Sequence, residues 1–179
     1  MVAKNLSVPL VKKFIPSRKS SSRKGDNGIV LVVGGSYIYH GAPILSSIAA
    51  LRCGTDLVYT CVPKINVTPT RAISPNLIVI PLVDQKLTRG AVNKLVGALP
   101  RNLDSATIGM GLAIQERNSL LLLVQSLLDR DVRLSLDASA LVPEVLPLLK
   151  NKNVVVTPHA GEFKRLFGEV PPNSKTQRI

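Results

Sequence analysis

One of the chain's two histidines stands in VVVTPHAGEF (residues 154–163). There an apolar run meets Thr157-Pro158-His159, and Glu162 follows three residues later. An imidazole titrates near neutrality and can hydrogen-bond a ligand. Glu162 could orient metal-bound water, or place a negative charge at a helix N-terminus where the dipole favours it. A lone histidine at a strand–helix handover is more often a satisfied structural residue, so its weight depends on what shares its edge. Three other stretches offer chemistry of the same kind: Gly34-Gly35-Ser36 with Tyr39, Gly41 and Ala42, then Gly109-Met110-Gly111-Leu112-Ala113, and Asp137. Small residues let a ligand approach the backbone, and a helix N-terminus offers N–H groups to an anion. Taken singly, each glycine stretch is as well explained by a tight turn. A carboxylate after an apolar strand can bind Mg²⁺, form an ion pair or, more commonly, cap the next helix.

These residues share a site only if the elements before them end at one edge. Residues 29–33, IVLVV, form a β-branched apolar run that predicts a strand, and residues 42–53 have helical composition with Pro43 in the first turn. Gly54 is placed to end that helix. Further strands are predicted at 56–62, 77–82, 106–111, 132–137 and 153–158, and helices at 90–99, 117–130, 142–150 and 161–168. Pro81 predicts the end of its ladder. Asn118 or Ser119 is available to cap the helix at 117–130. Alternating strands and helices imply right-handed βαβ crossovers and a mainly parallel sheet, in three α/β/α layers. In such a sheet ligands bind beyond the carboxyl ends of the strands, where all four stretches fall.

Composition agrees. Hydrophobic residues are 45% of the 179, charged residues 19% and aromatics 3%, with no Trp. A core of Val, Leu, Ile and Ala suits a sheet buried on both faces. The net charge is +12, and the first 25 residues hold seven basic side chains and no acidic one. The Ser-rich stretch SRKSSSRKG reads as a mobile or extended approach to the domain. Such a balance favours nucleotides, phosphorylated substrates or nucleic acid, although a solvated surface accounts for it equally well. Cys53 and Cys61 read as buried free thiols of a reducing compartment. No apolar leader is evident and no run is long enough to span a membrane, so a cytoplasmic protein is expected. A dinucleotide-dependent oxidoreductase would want GxGxxG and an acidic residue closing the second strand. The first turn here is GGSYIYHGA and the second strand ends Val62-Pro63-Lys64.

The blocks KGDNGIVLVVGGSYIYHGAPILSSIAALRCGTDLVYTCVP, SPNLIVIPL, IGMGL, LDASAL and VVVTPHAGEFKRLFG occur in this order between Lys24 and Gly168. Together they resemble the ADP/ATP-dependent NAD(P)H-hydrate dehydratases, which have a ribokinase-like fold. The resemblance implies repair of hydrated NADH or NADPH: an adenine nucleotide, ADP or ATP, phosphorylates a hydroxyl of the hydrate with Mg²⁺ assisting, and phosphate then leaves. It implies substrate contacts at Ala42, Gly111 and His159, and an acidic position near the metal at Glu162. It also implies a homo-oligomer when the chain is complete, with no membrane partner and no nucleic acid. Arg23 stands where the family often has His, and Ala113 where the glycine turn often ends in Gly. The family's Lys-Gly nucleotide-binding segment and Gly-Thr-Gly-Asp turn are not matched, so no catalytic residue is assigned.

The organisation expected is therefore a basic extension, residues 1–25, and a ribokinase-like domain, residues 26–179, incomplete at its C-terminus. Pro171-Pro172-Asn173-Ser174 reads as a helix start with about one turn after it, too short to stand alone. Two other functions fit the same sequence: a small-molecule kinase of the ribokinase superfamily, and a non-catalytic nucleotide- or nucleic-acid-binding module.

Overall fold

The structure is a computed structural model that describes residues 7–15 and 17–168. The helix start expected at residues 171–174 lies outside the described residues. In chain order the elements are α1 (Val8–Phe14), β1 (Ile29–Val33), α2 (Gly41–Arg52), β2 (Leu57–Pro63), α3 (Val67–Ile73), β3 (Leu77–Leu82), α4 (Arg89–Ala98) and β4 (Ser105–Ile108). They continue with α5 (Arg117–Leu128), β5 (Arg133–Leu136), α6 (Leu146–Leu149), β6 (Val154–Val156) and α7 (Ala160–Phe167). The strands form one all-parallel sheet in the order β3-β2-β1-β4-β5-β6.

Strand alternation divides the core between two faces. Ile29, Leu31 and Val33 of β1 join Ala106, Ile108, Leu134 and Leu136 under α4 and α5, which contribute Val92, Leu95, Leu120, Leu123 and Leu127. Val32 turns the other way, towards Val58, Val62 and Val79, with Ile48 and Leu51 of α2 and Val67 of α3 packed against them. Val32 pairs with Thr107, Thr107 with Ser135 and Ser135 with Val155, so this second face becomes more polar toward β6. Val155 is 59% exposed there.

Several expectations need correction. β3 continues through Pro81 to Leu82, because β3 is an edge strand and its outer side needs no donor. The segment 142–150 is a 3₁₀ turn at Pro143–Val145 followed by the four-residue α6, since Pro143 and Pro147 limit the helical hydrogen bonds. Neither Asn118 nor Ser119 caps α5: the N-cap is Glu116, without a side-chain bond, and Ser119 is buried within the first turn. Cys61 is buried as expected, but Cys53 is exposed at the end of α2. The N-terminal extension contains α1, ahead of the Ser-rich stretch, and Arg18 anchors that stretch by an ion pair with Asp56 and a hydrogen bond to the Gly54 carbonyl (3.2 Å). Two elements were not foreseen, α1 and α3. Gly54 ends α2 with a left-handed φ of 95°, as expected.

Candidate functional site

The order β3-β2-β1-β4-β5-β6 reverses direction between β1 and β4, and the two glycine stretches leave the sheet at that switch point. They are built as one unit. The Gly34 N–H donates to the Cys61 carbonyl (3.1 Å), the Gly35 N–H to the Met110 carbonyl (2.9 Å) and the Gly109 N–H to the Val33 carbonyl (3.0 Å). Gly111, at φ 65°, lies so close to Tyr39 that a Cβ would stand 2.7 Å from the Tyr39 Cβ. Ser36 and Tyr39 close the loop between them: the Ser36 N–H donates to the Tyr39 carbonyl (2.7 Å) and the Tyr39 N–H to the Ser36 Oγ (3.1 Å). α2 begins directly after this loop. His40 is its N-cap but makes no side-chain cap bond, so the N–H groups of Gly41 and Ala42 open onto the carboxyl edge. The side chains of Tyr37, Ile38 and Tyr39 are exposed on the rim.

One strand further, Asp137 follows β5. It N-caps the 3₁₀ turn Ala138–Ala140 by position only, and its Oδ1 instead accepts the Thr157 hydroxyl (2.9 Å). Capping, the commoner role, is therefore not its role here. The Thr157 N–H also donates to the Leu136 carbonyl (3.2 Å), which fixes the segment leaving β6 against the segment leaving β5.

His159 has a definite structural task. It is the N-cap of α7, and its Nδ1 accepts the Gly161 N–H (3.0 Å). Glu162 completes a capping box by accepting the His159 N–H on Oε2 (3.0 Å). The imidazole Nε2 stands 3.5 Å from the Glu162 Oε1, and the His159 side chain is 74% exposed. Nδ1 is thus committed to the helix, while the exposed ring keeps Nε2 on the solvent side. Glu162 is buried to 9% exposure. Among the described residues no group of three or more His, Cys, Asp or Glu side chains gathers to hold a metal. Mg²⁺ usually takes one or two carboxylates and completes its shell with phosphate oxygens and water. Glu162, with only Oε2 taken by a backbone donor, fits as one such carboxylate.

Gly111 packs against Tyr39, three residues before Ala42 at the start of α2. His159 and Glu162 are brought to Asp137 through Thr157. The two pairs leave different strands: β6 is three strand spacings, about 14 Å, from β1 and two spacings, about 10 Å, from β4. Sequence reasoning missed two residues that hold this edge. Asn66, 5% exposed, donates from Nδ2 to the Ser36 carbonyl (2.8 Å). Arg165 donates to the carbonyls of Leu141 (3.0 Å) and Ala138 (3.3 Å), tying α7 to the loop after Asp137. A polar residue just past a strand end hints at the first, and nothing local signals the second.

The sequence profile described as NAD(P)H-hydrate dehydratase matches residues 30–179. The chain belongs to the NAD(P)H-hydrate dehydratase family. It is 86% identical over 179 residues to the ADP-dependent (S)-NAD(P)H-hydrate dehydratase of Nitrosopumilus maritimus, covering 100% of this chain and 62% of that protein. It is 68% identical to the enzyme of the same name from Cenarchaeum symbiosum, over 96% of this chain and 60% of that protein. The chain thus spans about three fifths of the length of these relatives. The crystal structure of the ADP/ATP-dependent NAD(P)H-hydrate dehydratase from Bacillus subtilis with ATP and Mg²⁺ superposes with a TM-score of 0.68. That match has 28% identity and covers 86% of this chain and 52% of that one. The fold of this dehydratase-family chain is ribokinase-like, as the resemblance implied.

Proposed function

We propose that the chain carries the substrate-binding edge of a nucleotide-dependent NAD(P)H-hydrate dehydratase, with the activity belonging to a protein of the relatives' full length. The observation that carries this reading is the spacing along the carboxyl edge. Ala42 follows β1 and Gly111 follows β4 at the switch point, and His159 follows β6, three strand positions from the first and two from the second. A dinucleotide can reach across that distance, whereas a single sugar would engage one end. In this reading the N–H groups at the start of α2 and the backbone at Gly111 receive one part of the hydrated dinucleotide. The exposed ring of His159 hydrogen-bonds another. ADP is the proposed donor, because both archaeal relatives carry ADP in their names.

The chemistry balances as two steps. The terminal phosphoryl group passes from ADP to the hydroxyl on the hydrated ring, releasing AMP. The C–O bond then breaks with its electron pair leaving on phosphate, and loss of a proton from the neighbouring carbon restores the ring double bond. Mg²⁺, when bound, would neutralise charge on the transferring phosphoryl group, with Glu162 as a ligand. Glu162 and His159 also hold each other through the capping box, so the start of α7 is preorganised before ligand arrives. The homo-oligomer and the organisation as an N-terminal extension, 1–25, with one domain after it remain part of the proposal; light scattering reads the first and limited proteolysis the second.

The test incubates the full-length protein with hydrated NADH and either ADP or ATP and follows reduced-nicotinamide absorbance. Its return with ADP, with AMP and phosphate as co-products, is expected. A stable phosphorylated product with no recovery of NADH would assign the protein to the small-molecule kinases instead.

A further inference from the structure

The basic, serine-rich stretch has no part in the chemistry above, and it lies at the opposite end of the molecule. Residues 17–27 precede β1 and residues 53–55 precede β2, so both belong to the amino edge of the sheet. Between them is a cavity of about 770 Å³. Ser17, Lys19, Ser21, Ser22 and Thr55 line it, with Ile15 as an apolar neighbour.

The charges around this cavity are arranged asymmetrically. The two nearby carboxylates, Asp26 and Asp56, are outnumbered by the basic side chains Arg18, Lys19, Arg23, Lys24 and Arg52. Asp56 accepts the N–H groups of Gly25 and Asn27 (3.0 Å each) and the Asn27 side chain (3.0 Å), and pairs with Arg18. Asp26, which lines the cavity, accepts the Arg23 N–H on Oδ2 (2.7 Å). Arg18 is committed to Asp56 and the Gly54 carbonyl. Lys19 is left as the lining cation with no salt bridge among the described residues, and Arg23, Lys24 and Arg52 add positive charge close by in the chain. An ammonium group beside several hydroxyls is the donor set that takes phosphate oxygens.

We propose that this amino-edge cavity binds a small phosphorylated metabolite by its phosphate group, at a site separate from the dehydratase edge. Its volume falls in the range of small-molecule pockets. A nucleic-acid strand is the poorer fit, because no aromatic side chain lines the cavity to stack a base.

Cys53 also lines the cavity and is exposed, so the site contains its own reporter. Cys61 is fully buried, and burial pushes its thiol far above the ordinary range, so it does not compete for an alkylating reagent. The experiment measures Cys53 alkylation in the full-length protein at constant ionic strength, with inorganic pyrophosphate, a nucleoside diphosphate or a short single-stranded RNA. Cys53→Ser confirms the source of the signal. At a few times its Kd, pyrophosphate should slow alkylation at least about threefold, and the nucleoside diphosphate should do the same. Lys19→Glu should remove the protection, and Lys152→Glu, a charge-matched change just before β6 and four strand positions from β2 along the same edge, should keep it. Equal slowing by chloride of the same ionic strength, or protection that survives Lys19→Glu, overturns the proposal. Protection by RNA alone overturns it in favour of a nucleic-acid surface. None of these readouts depends on the dehydratase activity.

Discussion

Replacing Gly109 by alanine is expected to damage both stability and the switch point. Gly109 has φ 119°, a conformation that L side chains rarely adopt. An added Cβ would overlap the Asp137 carbonyl oxygen and stand 2.7 Å from the Ala140 Cβ and 2.8 Å from the Ala140 nitrogen. These are backbone and short side-chain atoms, so the clash is relieved only by moving β4 away from the segment after β5. Two hydrogen bonds cross that seam, from the Asp137 N–H to the Ile108 carbonyl (3.0 Å) and from the Ser139 N–H to the Gly109 carbonyl (3.3 Å). Backbone strain costs about 1–3 kcal/mol and each lost hydrogen bond about 0.5–1.5 kcal/mol, so the sum is roughly 2–6 kcal/mol. At about 2–4 °C per kcal/mol, the melting temperature should fall by roughly 4–24 °C. Gly97→Ala is the control: no atom lies within 4 Å of its added Cβ, and the residue is in α4. That change should be neutral or stabilising by up to about 1 kcal/mol. Calorimetric melts of the two full-length variants decide the matter. A Gly109→Ala protein that melts with the parent would show that the close β4–β5 approach is not what selects glycine.

Other substitutions separate roles that coincide in one residue. His159→Asn keeps an N-cap of the preferred type but removes the imidazole, so its melting temperature should stay near the parent's while the KM for hydrated NADH rises. His159→Ala should lose both, at about 0.5–2 kcal/mol of stability, and a KM unchanged in both variants would leave His159 as a cap alone. Glu162→Gln preserves the capping box, so it should fold normally yet need more Mg²⁺ for half-maximal activity; an unaltered Mg²⁺ titration counts against a metal role. Ser119→Ala should be neutral or stabilising by about 1 kcal/mol in denaturant titrations, because its buried Oγ has no partner. Asp56 is held below the ordinary carboxylate range, first by the Asn27 backbone N–H, with the Asn27 side chain, the Gly25 N–H and Arg18 adding to it against the cost of desolvation. Its contribution is complete at neutral pH and is lost as pH falls from about 4 toward its own lower value. Asp56→Asn should therefore melt below the parent at pH 7 and converge with it in acid; parallel curves at all pH values would refute this.

The sheet and the residues that gather at its carboxyl edge were legible because their signals are local. IVLVV before Gly34-Gly35, the strand–glycine turn at Gly109 and the spacing of Thr157-Pro158-His159 to Glu162 each fit within one strand–turn–helix unit. The capping box at α7 also closes within four residues, yet sequence reasoning did not assign it, since histidine is not among the preferred caps. α3 escaped because VTPTRAI carries two β-branched threonines and a proline, poor helix formers that become helical where Thr70 is buried and bonds to the Asn66 carbonyl (2.6 Å). Pro81 looked like a terminator because its effect depends on whether a neighbour lies on both sides of the strand.

From the sequence alone follow the alternation of strands and helices, the parallel sheet, the edge on which the candidate residues fall, and the family. Tertiary structure alone decided the strand order, and with it that Gly111 packs against Tyr39 while His159 follows β6, at the far end of the sheet from β3. It also decided that Gly109 must be glycine, that Asn66 holds Ser36 and that Arg165 holds the Ala138–Leu141 turn. Periodicity is a property of neighbouring residues, so the chain displays it openly. These hydrogen bonds join residues 24 to 30 positions apart, and only the folded sheet, by choosing which strands lie side by side, brings them within reach.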